Sequence, residues 1–267
     1  MNWISEYFYI GKNKIHLHRS ENNKETIILL HGAMDNGLCW IPIAKKLSKN
    51  YFVIMPDARG HGLTKSEDED WSYAAMAMDV KNIIEKLQLN QIHIIGHSMG
   101  ANVGAIVAQK YPNVVKKLIL EDPAFSIEEF SWIKKKIYFS LVKIFLKFFL
   151  KGNVEELYEK GKKRNPTWVE EEMEPWAVSK MQFKNQDPKK IQKALSNEFD
   201  WKETIENIKC PFLLITSEKG LGKDNFAKKV IKLNTNSQWV KIMDAGHNIR
   251  RENPKDYLIA IQKFLKE

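Results

Sequence analysis

Short runs of apolar, β-branched residues recur along the chain, separated by segments whose apolar positions fall at helical spacing. The runs are residues 26–30 (TIILL), 52–55 (FVIM), 91–95 (QIHII), 118–120 (LIL), 212–216 (FLLIT) and 238–243 (QWVKIM). Short and largely without polar alternation, they suit strands buried on both faces of a parallel sheet. Near the start, residues 3–10 and 14–19 do alternate, which predicts two strands joined by a turn at 11–13. Helices are predicted over 39–49, over 72–88 with Met76, Val80, Ile83, Ile84 and Leu87 at helical spacing, over 99–111 before Pro112, near 225–233 and over 254–266. Strands alternating with helices predict the α/β class: a doubly wound, mostly parallel, eight-stranded sheet with right-handed crossovers.

Residues 125–205 break this rhythm and hold no convincing strand. They are read as a helical cap inserted between strands 6 and 7, leaving residues 1–124 and 206–267 as the core domain. Within the cap, SWIKKKIYFSLVKIFLKFFLKG places Lys136, Ser140, Lys143, Lys147 and Lys151 on one narrow polar stripe of a helix. The rest of that helix is almost wholly apolar, so the cap is expected to bury a wide face of residues 133–150. A helix lying in a membrane interface with its lysines outward is the competing reading; lysines interrupt the run too often for a membrane span.

Composition narrows the choices further. With 267 residues, 43% of them hydrophobic, the chain can bury one sizeable core. The net charge of +9 comes from lysines spread along the whole chain, with no arginine-rich arm and no zinc-finger spacing, so a basic surface is expected rather than a nucleic-acid partner. Cys39 and Cys210 are too few for a disulfide framework and lack a C-x-x-C partner. The opening MNWISEYFYIGKNK has no basic stretch followed by an apolar run and a cleavage site, so a cytoplasmic location is expected. Oligomeric state is not legible.

The chemistry centres on IIGHSMG, residues 94–100, where an apolar strand runs straight into a helical segment. Gly96 and Gly100 flank Ser98 symmetrically, letting strand and helix pass closely and presenting the hydroxyl near a helix N-terminus. Alone, G-x-S-x-G can also arise by chance in a glycine-rich turn. Nucleophilic chemistry further requires an oxyanion hole, a histidine and an acid.

The ordered set LLHGAMDNG, PDARGHG, IIGHSMG, LILEDPA and DAGHN resembles the α/β-hydrolase superfamily, in its serine-nucleophile, esterase/lipase-like branch. The resemblance implies Ser98 as nucleophile, His247 as base, and the backbone N–H groups of Ala33 and Met99 as the oxyanion hole. The acid departs from the usual pattern: LLITSEKGLGKDN has Gly220 where the aspartate of most relatives would stand. Some relatives carry the acid after the sixth strand instead, which implies Asp122, with Glu218 and Asp224 as alternatives; Asp122 could also simply cap the loop before Pro123. His31, His61 and His97 are read as loop supports near the site, His16, His18 and His93 as structural, and Asp57, by resemblance, as support from beneath.

A serine nucleophile implies acyl transfer: attack on an ester, thioester, lactone or activated carbon–carbon bond, then release of the acyl-enzyme by water. No cofactor and no metal are expected. Among the cap aromatics, Trp132, Phe145 and Trp176, together with Phe125, are candidates to line an apolar site for a small ester-like substrate. A ligand-binding receptor on the same fold and a membrane-surface lipase are the two alternative readings.

Overall fold

The computed structural model describes residues 2–21, 24–186 and 199–267. Its strands are β1 (Ile4–Ile10), β2 (Asn13–Arg19), β3 (Thr26–Leu30), β4 (Phe52–Pro56), β5 (Lys65–Ser66), β6 (Ile92–His97), β7 (Val115–Glu121), β8 (Phe212–Ser217) and β9 (Ser237–Ile242). They form one sheet in the order β1-β2-β4-β3-β6-β7-β8-β9, parallel from β4 to β9 and antiparallel at the β1-β2-β4 edge. The strand beyond the expected eight is β5, whose two residues pair with the start of β2. Two residues carry no periodic signal, so only this pairing identifies them as a strand.

Helices cover both faces: α1 (Ile41–Leu47), preceded by a 3-10 turn at Gly37–Trp40, α2 (Tyr73–Lys86), α3 (Met99–Lys110), α7 (Trp201–Asn207), α8 (Asp224–Leu233), α9 (Ile249–Glu252) and α10 (Pro254–Lys266). Alternate residues of the central strands feed opposite cores. Ile28 and Leu30 of β3, Ile94 of β6 and Leu214 of β8 pack towards α2, α3, α7 and α8. Ile27, Leu29, Ile95 and Ile215 pack towards α1 and α10. All eight are within 5% of full burial. A one-residue slip would exchange the two sets, at roughly 1.5–3 kcal/mol for each side chain left misplaced, so the register is strongly specified.

Three further helices, α4 (Trp132–Phe149), α5 (Val154–Arg164) and α6 (Glu170–Lys184), lie between β7 and β8 in sequence. Among the described residues of the inserted segment no strand occurs. Helix α6 packs on the 3-10 turn and α1, with an apolar seat made of Cys39, Leu157, Met173, Trp176 and Ala177. The core also reaches into the segment assigned to the cap: Phe125, Trp201 and Ile205 are buried in the α3 side of the sheet.

The apolar side of α4 departs from expectation. Trp132, Ile133, Ile137, Leu141 and Ile144 are exposed by 72, 53, 55, 59 and 55%. The physical reason is placement. The helix turns Tyr138 inward, half-buried against Phe130, and the stripe spaced from Ile133 faces outward. Among the described residues, no helix is long and apolar enough to cross a membrane.

Candidate active site

The β6–α3 turn holds Ser98 at φ 53°, a left-handed conformation that a non-glycine residue adopts only at a cost. The turn is possible because both glycines are missing a side chain. A Cβ on Gly96 would lie 2.3 Å from the Gly100 carbonyl oxygen, and one on Gly100 would lie 2.2 Å from the Leu30 carbonyl oxygen. Ser98 is the N-cap of α3, so Met99 is its first residue and has no partner for its N–H within the helix. The Met99 side chain points down into the core, and Ala33 lies on the wall of the cavity that also contains Ser98.

His247 sits in the loop after β9. Its carbonyl accepts from His97 Nε2 at 2.9 Å, and the neighbouring Gly246 carbonyl accepts from Ser217 Oγ at 2.6 Å. The His247 Nδ1 contacts the Asp122 carboxylate at 2.7 Å. Asp122 is fully buried just past the end of β7, at φ 39°. The Leu221 and Gly222 N–H groups each donate to its carboxylate at 2.8 Å. Charge-assisted bonds of this kind hold a carboxylate firmly in place. The missing aspartate at 220 now has a spatial explanation. A Cβ on Gly220 would stand 2.6 Å from Ser217 Oγ and 2.7 Å from Asp122 Oδ2, so Gly220 leaves the room that the Ser217 hydroxyl and the Asp122 carboxylate fill. The two alternatives are elsewhere: Glu218 is exposed, and Asp224 is half-buried and pairs with Lys241 at 2.8 Å.

Ser98 and His247 line one cavity of about 230 Å³, shared with Ala33, Tyr138, Trp168, Trp176 and a polar set that includes Arg164, Asn165 and Asn248. Of the predicted substrate-binding residues, Trp176 is on this wall. Phe125 is not: its N–H donates to Asn102 Oδ1 at 3.1 Å, which draws it into the core, where it stacks on Trp201 at 5.6 Å. Trp132 projects into solvent at the start of α4, away from the wall. The side chain of Phe145 lies outside the described residues.

Sequence reasoning missed a buried ionic cluster beside this cavity. Lys180 of α6 donates to Asp35 Oδ1 at 2.7 Å and to the Met34 carbonyl at 2.9 Å. Arg251 of α9 reaches Asp35 at 3.0 Å, Asn248 at 3.1 Å and also Glu172 of α6. Arg250 bonds Glu121 at 3.3 Å. Burial alone would push the Asp35 carboxyl up, but Arg251, Lys180 and Arg250 together hold it well below the usual carboxylate range. Burial wins at Glu121, whose carboxyl is pushed up despite Arg250. The only local signals were the Asp of HGAMD and the paired arginines after HN, and neither has a spacing that announces a partner.

Beneath the site, Asp57 accepts from Gly37 N at 2.7 Å, Leu63 N at 2.8 Å and His16 Nδ1 at 2.7 Å. His31 accepts from Ala58 N at 3.0 Å, and His61 donates to the Arg59 carbonyl at 2.8 Å. Burial pushes His61 down to about 3 and His97 well below its ordinary value. Among the described residues no group of histidine, cysteine and acidic side chains is placed to hold a metal.

The sheet order, the serine turn at the end of β6 and the histidine after β9 define the α/β-hydrolase fold. The model of the alpha/beta hydrolase fold family matches residues 25–140. Over the whole chain the structure superposes on E-2-(acetamidomethylene)succinate hydrolase with a TM-score of 0.79 at 19% identity, covering 100% of both chains. In sequence the chain is similar to an uncharacterized protein of Mycobacterium tuberculosis, 36% identical over 94 residues, which is 35% of this chain and 28% of that protein. It is also similar to human monoacylglycerol lipase ABHD6, 34% identical over 105 residues, 38% of this chain and 31% of the lipase. The chain thus matches only about a third of the length of these curated relatives.

Proposed function

We propose that the protein is a serine hydrolase that cleaves an ester-like acyl bond through an acyl-enzyme. The observation that carries this reading is the 2.7 Å contact between His247 Nδ1 and a fully buried carboxylate, with Ser98 on the same cavity. Asp122 would keep the proton on Nδ1, so that Nε2 is free to accept the Ser98 proton. Ser98 Oγ then attacks the acyl carbon, and the oxyanion is met by the Ala33 and Met99 N–H groups. Losing one such donor typically costs about 3–4 kcal/mol in the barrier. His247 returns the proton to the leaving group, and water repeats the cycle to release the acid. Helices α4–α6 serve as the cap over this chemistry.

The cavity favours a substrate with both apolar and polar parts, where the cap aromatics alone led to the expectation of an apolar ester-like one. Trp168, Trp176 and Tyr138 offer ring surface, while Arg164, Asn165 and Asn248 offer polar groups to the same volume. The test is labelling by a fluorophosphonate probe, followed by hydrolysis of p-nitrophenyl esters of graded chain length. Labelling of wild type and loss of labelling in Ser98→Ala support the reading; labelling at another serine overturns it.

A further inference from the structure

Helix α4 has two working sides. Its inner side carries Tyr138, which lines the cavity with Ser98 and His247. Burial first, then the charge of Asp122, raises the Tyr138 phenol above its ordinary value. The outer side carries Ile133, Ile137, Leu141 and Ile144 at spacings of four, four and three, each more than half exposed, with Trp132 at the helix start. Lone exposed apolar residues need no explanation, but a continuous stripe along successive turns of a helix marks a surface that something covers.

Charge identifies what fits. The α4 sequence contains five lysines and no acidic residue. Lys134 and Lys136 are exposed, while Lys135 is paired with Glu128 at 2.5 Å. An apolar stripe bordered by lysines suits the boundary of an anionic bilayer: the isoleucines enter the acyl region and the ammonium groups reach back to the phosphates. A second copy of the chain fits poorly, because a two-fold contact through this face would set the same lysines against each other. The net charge of +9 favours the same anionic partner at long range.

We propose that α4 docks the protein on an anionic lipid surface, with Trp132, Ile133, Ile137, Leu141 and Ile144 inserted and Lys134 and Lys136 on the phosphates. Leu141 of the docking face lies one turn along the helix from Tyr138, so bound lipid is brought beside the cavity. This inference stands apart from the acyl chemistry, since binding is read without turnover.

The experiment is co-sedimentation with vesicles of phosphatidylcholine, with and without phosphatidylglycerol, at low and high salt. Wild type should pellet with the anionic vesicles and far less with the neutral ones. The pair Ile137→Glu and Leu141→Glu should weaken binding on the order of a hundredfold, from the lost apolar insertion. Lys134→Gln and Lys136→Gln should each weaken it about fivefold and flatten its salt dependence. Fluorophosphonate labelling without vesicles and far-UV circular dichroism should remain at wild-type level in all three variants. Undiminished binding in the glutamate pair would overturn the assignment, as would equal binding to neutral vesicles. So would a wild-type dimer in sedimentation velocity that the glutamate pair dissolves, because the stripe would then belong to a second copy.

Discussion

Two helices of the inserted segment, α4 and α6, both carry lysines and both approach the cavity, yet they treat charge in opposite ways. In α6, Glu172 and Lys180 are 2% and 3% exposed and are enclosed by Asp35 and Arg251 of the core. In α4, Lys134 and Lys136 are in water beside an apolar stripe that is also in water. Helix α6 has a partner of opposite charge on each side of Glu172 and Lys180, and these charges act as a fastening; α4 turns Lys134 and Lys136 towards solvent. What decides between these outcomes is the element opposite the helix, because a buried charge is tolerated only where it is paired and hydrogen-bonded.

The largest effect concerns the site that both helices overlook. Ser98→Ala should abolish probe labelling and lower turnover by about a millionfold, with the fold intact because a small side chain fits the turn. Next is the acid. Asp122→Asn should lower turnover about ten-thousandfold, measured with an ester of good leaving group, because the imidazole loses the partner that selects its tautomer. Glu218→Gln and Asp224→Asn should stay near wild type. The double variant Asp122→Ala with Gly220→Asp should regain part of what Asp122→Ala alone loses, since the two positions share one volume. If the double variant is as inactive as the single one, room beside His247 is not the reason for Gly220.

The comparison itself is sharpest in a matched pair of substitutions. Lys180→Met leaves Asp35 without one of its buried cations and should cost about 3–5 kcal/mol in urea unfolding. It should also reduce kcat more than it changes KM, because the Met34 carbonyl beside the proposed oxyanion hole loses its donor, and Lys180→Arg should restore part of both. Ile137→Glu with Leu141→Glu, on the exposed face of α4, should change stability by no more than about 0.5 kcal/mol. Equal destabilisation by the two would mean that the α4 stripe is packed after all.

A further effect is acid sensitivity of the floor. His61 is held at about 3 by burial against an ordinary value of 6.5. Between those values the unfolded chain binds the proton and the folded one does not, so stability falls as pH drops through that window. The urea midpoint should correspond to a loss of about 1–2 kcal/mol from this group between pH 7 and about pH 5. His61→Asn, which keeps a donor for the Arg59 carbonyl, should flatten that slope; an unchanged slope would assign it to other groups.

Much of the fold was legible because its signals are local. Residues 26–30, 91–95 and 212–216 read as buried strands, since β-branched runs of that length have few other uses, and β3, β6 and β8 occupy those places. Gly96 and Gly100 marked the close passage of strand and helix around Ser98 within one pentapeptide. The two-residue β5 was not legible, because it exists only through pairing with residues more than fifty positions earlier. Phe125 read as a ring for substrate because its sequence position is next to the site; a single N–H bond to Asn102 turns it into the core instead.

The sequence by itself determined the alternation of strands and helices, the strained serine turn and the late histidine, all written in neighbouring residues. It left the acid open among Asp122, Glu218 and Asp224, and it read the apolar face of residues 133–150 as buried. Tertiary structure brings the Asp122 carboxylate to a histidine 125 positions away and Lys180 to Asp35 across 145, and it turns Ile133, Ile137, Leu141 and Ile144 outward. Spacing along a helix or strand says which residues share a face. What lies against that face depends on how distant segments close over one another, and that sets whether a carboxylate orients an imidazole, a lysine is sealed in a pair, or an isoleucine is left facing outward.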